Sequence, residues 1–271
     1  MKICEVYCKT ALVNSMLSGI KYALNPYRGC LHGCIYCYAP SVLREKREWG
    51  EFVDIKINIP YVLGKELRKK EKGLVCLGTV TDAYQQIEKE YELARKCLEL
   101  LLKKNFPITI QTKSSLVLRD MELIKRFKEA DVGFTITTMR DEIRRKYEPN
   151  SSSNEERLKA LSTLSSNGIK TWVFIGPIMP FLTEIDIEVL IESIKKAGVE
   201  KVYVDRLRIK DNWEKINRFL IEFYPELIEE YKRILFRYNC KYFTEIENKI
   251  MMLCNEKSLE FINMNNKSLN I

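Results

Sequence analysis

Residues 73–104 read GLVCLGTVTDAYQQIEKEYELARKCLELLLKK, and two periodicities within them decide the fold. Gly73–Val80 is a short apolar run of the kind a buried strand needs. From Glu88 to Lys104, Tyr91, Ala94, Leu98, Leu101 and Leu102 fall on one helical face. The same strand–helix unit recurs downstream. Pro107–Thr112 is followed by a helix at Asp120–Ala130, with Asp120 as its expected N-cap. Val132–Met139 precedes a helix at Asn154–Asn167 that stops at Gly168. Lys170–Ile178 precedes a helix at Thr183–Ala197 ending near Gly198, and Lys201–Leu207 is a further strand. Upstream, Tyr22–Arg28 completes six strands.

Strands joined by crossovers of a dozen or more residues pair in parallel. Six units are too few for an eight-stranded barrel. The expectation is therefore an α/β fold, a partial (β/α)6 TIM-like barrel of parallel strands with a helical C-terminal extension. The domain reading is an N-terminal segment 1–20, a barrel 21–211 containing a loop at 29–38, and an extension 212–271. Ser41–Lys72 reads as a charged helical insertion. Trp213–Tyr224 and Glu226–Arg237 read as helices, followed by a weakly patterned tail.

The chain has 271 residues, of which 46% are hydrophobic and 30% charged, a balance that excludes disordered, fibrous and low-complexity classes. The longest apolar candidate, Trp172–Leu182, is too short to span a bilayer and contains Gly176, Pro177 and Pro180. The N-terminus MKICEVYCKT lacks an apolar signal core. These features lead to the expectation of a cytoplasmic, soluble protein with no membrane partner. The net charge of +8 is spread out, since Lys103–Lys104, Arg140–Lys146 and Arg206–Lys210 all have acids nearby. It suits a solvated surface or a basic rim for a polyanion such as nucleic acid.

Nine cysteines without an export signal favour free thiols or metal and iron–sulfur ligation over a disulfide scaffold. They are Cys4, Cys8, Cys30, Cys34, Cys37, Cys76, Cys97, Cys240 and Cys254. Three lie in NPYRGCLHGCIYCYAP, residues 25–40, with spacing C-x3-C-x2-C just after a strand. Thiolates this close can wrap one face of a cuboidal [4Fe–4S] cluster and leave the fourth iron without a cysteine. Gly29 and Gly33 let the backbone curl around the sulfurs. The alternatives are a zinc site completed by His32, the sole histidine, or a chance grouping of thiols. His32 sits too close in sequence to Cys30 and Cys34 for an easy tetrahedron.

The cysteine spacing with Tyr36 as the aromatic resembles the signature of the radical S-adenosylmethionine (SAM) superfamily. A longer set of matches lies within residues 25–207: NPYRGC-x-HGC-x-YCYA, TDAYQ-x-IE, TKS, and EPN with Arg157. These resemble the spore-photoproduct-lyase-related, DNA-repair-photolyase-like group. The resemblance implies two cofactors, a [4Fe–4S] cluster and SAM, which the reduced cluster cleaves to methionine and a 5′-deoxyadenosyl radical. It also implies a reducing electron donor such as ferredoxin or flavodoxin, and hydrogen abstraction from a substrate. The substrate is left unidentified: the resemblance and the basic charge favour DNA or RNA as one class, and a protein or small molecule is the other.

By the same resemblance Cys30, Cys34 and Cys37 are the metal ligands. Thr81, Asp82, Lys113 and Thr135 match positions that contact SAM, and Arg157 matches a lyase-like position. Tyr36 packs beside the adenine, whose pocket Ile175, Gly176 and Pro177 line. The plain alternatives are a strand-end surface residue for Lys113, a helix cap for Asp82 and a strand former for Thr135. For Arg157 the alternative is a solvated helix residue, and for Ile175–Ile178 it is core packing. The lyase carries a hydrogen-donating cysteine three residues before the aspartate, where this chain has Thr79. Strand alternation would turn Cys76 to the face opposite Thr79, so the cluster and SAM cleavage transfer and the lyase's own substrate, the thymine dimer, does not. Cys4 and Cys8 read as free or buried thiols. The rival class is a non-catalytic iron–sulfur electron-transfer or zinc-binding module, which would need no SAM-clasping groups such as Lys113 and Asp82.

Overall fold

A computed structural model describes residues 1–209, 212–236 and 240–265. Lys210, Asp211, Arg237 and the side chain of Cys240, which enter the readings above, lie outside the described residues. Eleven strands are described: β1 Lys2–Val6, β2 Leu12–Asn14, β3 Tyr22–Leu24, β4 Tyr27–Arg28, β5 Phe52–Lys56 and β6 Val75–Leu77. The remainder are β7 Ile108–Thr112, β8 Ala130–Thr135, β9 Lys170–Ile178, β10 Lys201–Arg206 and β11 Glu260–Asn263. The large sheet runs β2-β3-β6-β7-β8-β9-β10-β11, parallel throughout except for the antiparallel β2–β3 pair. This is the expected α/β partial barrel. A small sheet, β1-β5-β4, flanks it.

The two faces of the large sheet differ. Val75, Leu77, Ile108, Ile110, Val132, Phe134, Val173, Ile175, Val202 and Val204 are fully buried on one face. They share one core with Leu98, Leu101, Leu161, Leu164, Leu190 and Ile194 of the crossover helices. Each such side chain contributes about 1.5–3 kcal/mol by leaving water. Alternation puts Cys76, Thr109, Gln111, Asp131, Thr135, Trp172, Phe174, Tyr203 and Asp205 on the other face. Most of these are only partly buried. There the Trp172 indole lies across Gly133, where a Cβ would come within 2.2 Å of the ring. Its Nε1 donates to Asp131 Oδ1 at 2.7 Å.

Several boundaries differ from the sequence reading. The Tyr22–Arg28 segment divides at Pro26 into β3, in the large sheet, and β4, in the small one. The insertion Ser41–Lys72 contains β5 between the helices Ala39–Leu43 and Ile59–Glu66. The helix read at 88–104 is interrupted by Glu92, which takes a left-handed φ of 52°. Asp120 caps nothing with its side chain. Its buried carboxylate accepts from Arg95 Nη1 at 2.6 Å and Tyr84 Oη at 3.1 Å. The helix at 154–166 follows the reading closely, with a capping box between Ser153 and Glu156 and Gly168 in the left-handed region. Beyond the C-terminal helices Trp213–Phe223, Ile228–Phe236 and Cys240–Glu256, the tail adds β11 beside β10. Among the described residues no helix is long and apolar enough to cross a membrane.

Candidate functional site

The cysteine loop leaves β4 and runs into the helix Ala39–Leu43. Cys30 and Cys34 are buried and Cys37 is half-buried. Gly29 is required twice over: its φ is +89°, and a Cβ there would meet Phe52 O at 2.5 Å. The carbonyl of Gly29 accepts from Thr81 Oγ1 at 2.6 Å and from Gln85 Nε2 at 3.2 Å. Gln85 Oε1 in turn takes the Leu31 amide at 2.8 Å.

The donor set fits an iron–sulfur cluster. The three thiols lie close enough to influence one another electrostatically. Burial pushes Cys30 and Cys34 up to about 12 and Cys37 up to about 11, so each stays protonated until a metal displaces the proton. Among the described residues no three Cys, His, Asp or Glu side chains converge as a single ion would require. In a cuboidal cluster each thiolate has an iron of its own and they stand apart. His32, the fourth ligand a zinc site would need, is buried with its Nδ1 3.4 Å from Asp82 Oδ2.

Asp82 follows β6 and ties the strand ends together. Its Oδ1 accepts from Tyr84 N and Thr112 Oγ1, both at 2.8 Å, and its Oδ2 from Lys113 N at 2.7 Å. With Thr81 spent on Gly29 and Gln85, this pair acts on the cysteine loop and on Lys113 rather than offering open groups. Lys113 does offer one. Its ammonium lies 5.8 Å from the Tyr36 ring centroid, and among the described residues it has no hydrogen-bond or ion-pair partner. Burial would lower its pKa, but Cys34, Glu148, Asp82 and Cys37 outweigh that and raise it, so it is a cation. Thr135 is buried on the sheet face that carries Gln111, whose Nε2 approaches its Oγ1 at 3.5 Å.

Arg157 is neither a solvated residue nor an open ligand contact. It is fully buried. Its Nη2 lies 2.5 Å from Glu148 Oε2 and also donates to Ser151 Oγ; Nε donates to Ser152 O at 2.9 Å and Nη1 to Thr135 O at 2.7 Å. Tyr36 Oη donates to the same Glu148. Burial would raise the Glu148 pKa, yet Arg157, Lys113 and Tyr36 together hold it below the ordinary carboxylate value.

Ile175 is also displaced from its expected role. It pairs with Val204 on the helix-covered face and is fully buried in the hydrophobic core. Phe174 takes the opposite face, its ring so close over Gly176 that a Cβ there would come within 2.3 Å. That leaves Gly176 beside Phe174, which pairs with Thr135 across the strands. The alternation argument for Cys76 stops short of Thr79, because β6 ends at Leu77 and Gly78 turns with φ +96°. Thr79 Oγ1 instead accepts from Asn25 Nδ2 at 2.9 Å, and Cys76 is buried on the face opposite the core. Cys4 and Cys8 are free, half-buried thiols. Sequence reasoning missed Gln85, Glu148 and Phe174. Glu148 and Gln85 lie inside the quoted EPN and TDAYQ strings, but no spacing rule marks their partners.

The model of the radical SAM superfamily matches residues 24–194. An uncharacterized protein of Methanocaldococcus jannaschii is 37% identical over 231 residues, 84% of this chain and 86% of that protein. A radical SAM Nalpha-GlyT isomerase of Pseudomonas phage M6 is 25% identical over 210 residues, 74% of this chain and 43% of the isomerase. Among solved structures, a spore photoproduct lyase variant with bound AdoMet and dinucleoside spore photoproduct matches with a TM-score of 0.65. That match is 18% identical and covers 83% of this chain and 66% of the lyase.

Proposed function

This chain belongs to the radical SAM superfamily and is an enzyme of that class, and from that premise we propose that Cys30, Cys34 and Cys37 hold a [4Fe–4S] cluster that works on SAM. When bound, the cluster supplies the electron that breaks the bond from the SAM sulfonium to C5′, giving methionine and a 5′-deoxyadenosyl radical that takes a hydrogen atom from the substrate. The reducing partner is a low-potential carrier of the ferredoxin or flavodoxin kind.

The observation that carries this reading is the Lys113 ammonium, half-buried beside the cysteine loop and with no ion-pair partner among the described residues. A cation kept in that state supports an anionic ligand, and the SAM carboxylate has the matching charge. Asp82 holds Lys113 through its backbone amide, and Glu148 orients Tyr36 beside it. Thr135 and the Gly176–Pro177 backbone then face the nucleoside part of SAM. An electron carrier has no use for such a cation.

Lys113→Met keeps the stem and removes the charge. It is expected to leave the iron content unchanged and to weaken SAM binding about tenfold to a hundredfold. The measurement is a titration of the SAM-induced change in the EPR signal of the reduced cluster. Unchanged affinity would overturn the assignment, and no SAM-induced change in the native enzyme would favour the electron carrier.

We infer further that the substrate is a nucleic acid. The net charge of +8 and a fold neighbour holding a dinucleoside photoproduct support this class. The reduced enzyme, given SAM and deuterated DNA, deuterated RNA or ultraviolet-irradiated deuterated DNA, is expected to move deuterium into 5′-deoxyadenosine. Transfer only from a deuterated cell extract depleted of nucleic acid would replace this class with a protein or small molecule.

A further inference from the structure

The cysteine loop bonds little to itself; Gly33 N reaches Cys30 O at 3.3 Å and Cys37 N reaches Cys34 O at 3.2 Å. Several of its other backbone groups are met from outside the loop, two side-chain carboxamides among the partners. Gln85, fully buried, straddles Cys30 by accepting from Leu31 N and donating to Gly29 O. Asn150 grips one residue further on, with Nδ2 donating to Leu31 O at 2.9 Å and its backbone amide to His32 O at 3.4 Å. The two grips are joined, since Gln86 Nε2 donates to Asn150 O. Near the far end, Ile35 N donates to Tyr147 O at 3.1 Å and Asn212 Nδ2 to Tyr36 O at 3.0 Å.

In many metal sites the ion itself orders its ligands, and binding energy is folding energy. Here the backbone on both sides of Cys30 has protein partners of its own. We propose that Gln85 and Asn150 are positioning residues that form the ligand loop before iron arrives and hold Cys30 against release of the cluster. This rests on the reading that the three cysteines hold a cluster.

The Leu31 amide, whose acceptor is Gln85 Oε1, is the reporter. In iron-free protein it is expected to be protected from hydrogen exchange. Gln85→Met keeps the length and burial of the side chain but lacks the amide. It should speed Leu31 exchange about tenfold or more while β7, β8 and β9 keep their protection. Gln85→Glu retains an acceptor for Leu31 N and should restore the protection. After reconstitution, Gln85→Met should lose iron to a ferrous chelator about tenfold faster than the native protein. Should Gln85→Met fail to fold, Asn150→Ala, at an exposed position, carries the chelator measurement. An unprotected Leu31 amide in iron-free native protein, or native rates in these variants, overturns the proposal. Failure of the native chain to take up iron would instead sink the cluster reading and leave the exchange measurement standing.

Discussion

Replacing Cys34 by alanine is expected to leave a folded chain that takes up no cluster and cleaves no SAM. The fold should survive because the change removes one small buried atom, for a typical cost of about 1 kcal/mol, and among the described residues the Cys34 side chain makes no hydrogen bond to lose. The chemistry should not survive. Cys34 is buried with Lys113 and Cys30 close enough to act on its charge, so it sits where the proposed cluster and the cation would meet. No other described residue offers a ready substitute: His32 is engaged near Asp82, and Cys76 lies on the sheet. The checks are iron and sulfide content after anaerobic reconstitution, 5′-deoxyadenosine formation, and a circular dichroism spectrum to establish folding. Full iron in the variant would refute the ligand assignment.

Arg157→Met is expected to be among the most destabilising single substitutions in the chain. Both Arg157 and Glu148 are completely buried, and removing one member of such a pair strands the other charge, at about 3–5 kcal/mol. For a chain of this size that is a fall in Tm of roughly 6–20 °C. In the native protein the folded Glu148 pKa lies below its ordinary value. Its contribution is therefore complete above the ordinary carboxylate range and is lost as pH falls through the folded value. In the variant, burial is opposed by Lys113, Tyr36 and the Ser151 hydroxyl without Arg157, so the folded pKa rises and the penalty should ease as pH is lowered. Thermal melts at several pH values test the sign. The double variant Arg157→Met with Glu148→Gln should recover part of the loss, and equal Tm values for single and double variants would argue against a stranded charge.

The strands of the barrel were legible because each is a short apolar run bracketed by helical spacing, and Gly168 and Gly198 do end their helices in the left-handed region. β11 was not legible. Glu260–Asn263 has no alternation of its own and becomes a strand only because β10 offers it a free edge. β5 was hidden for a related reason, since Phe52–Lys56 is placed as a strand by pairing with β1 and β4. The three cysteines were singled out by their spacing and by the family resemblance. Their surroundings were not, because Arg157 and Glu148 are charged residues that sequence places on the surface by default, and only the tertiary pairing makes burial tolerable. Ile175 shows the converse: a one-residue shift along β9 exchanges the core face for the opposite one.

The last strand also changes how this protein can be cut. β11 covers the margin of β10, and Met264 N donates to Val204 O just beyond it. On the outer side Arg206 is locked to Glu247 of the long C-terminal helix at 2.6 Å. A fragment trimmed to the barrel units alone would therefore bare a ragged, hydrogen-bond-hungry border, inviting self-association, so the terminal helix and strand are the barrel's hem and not a detachable tail.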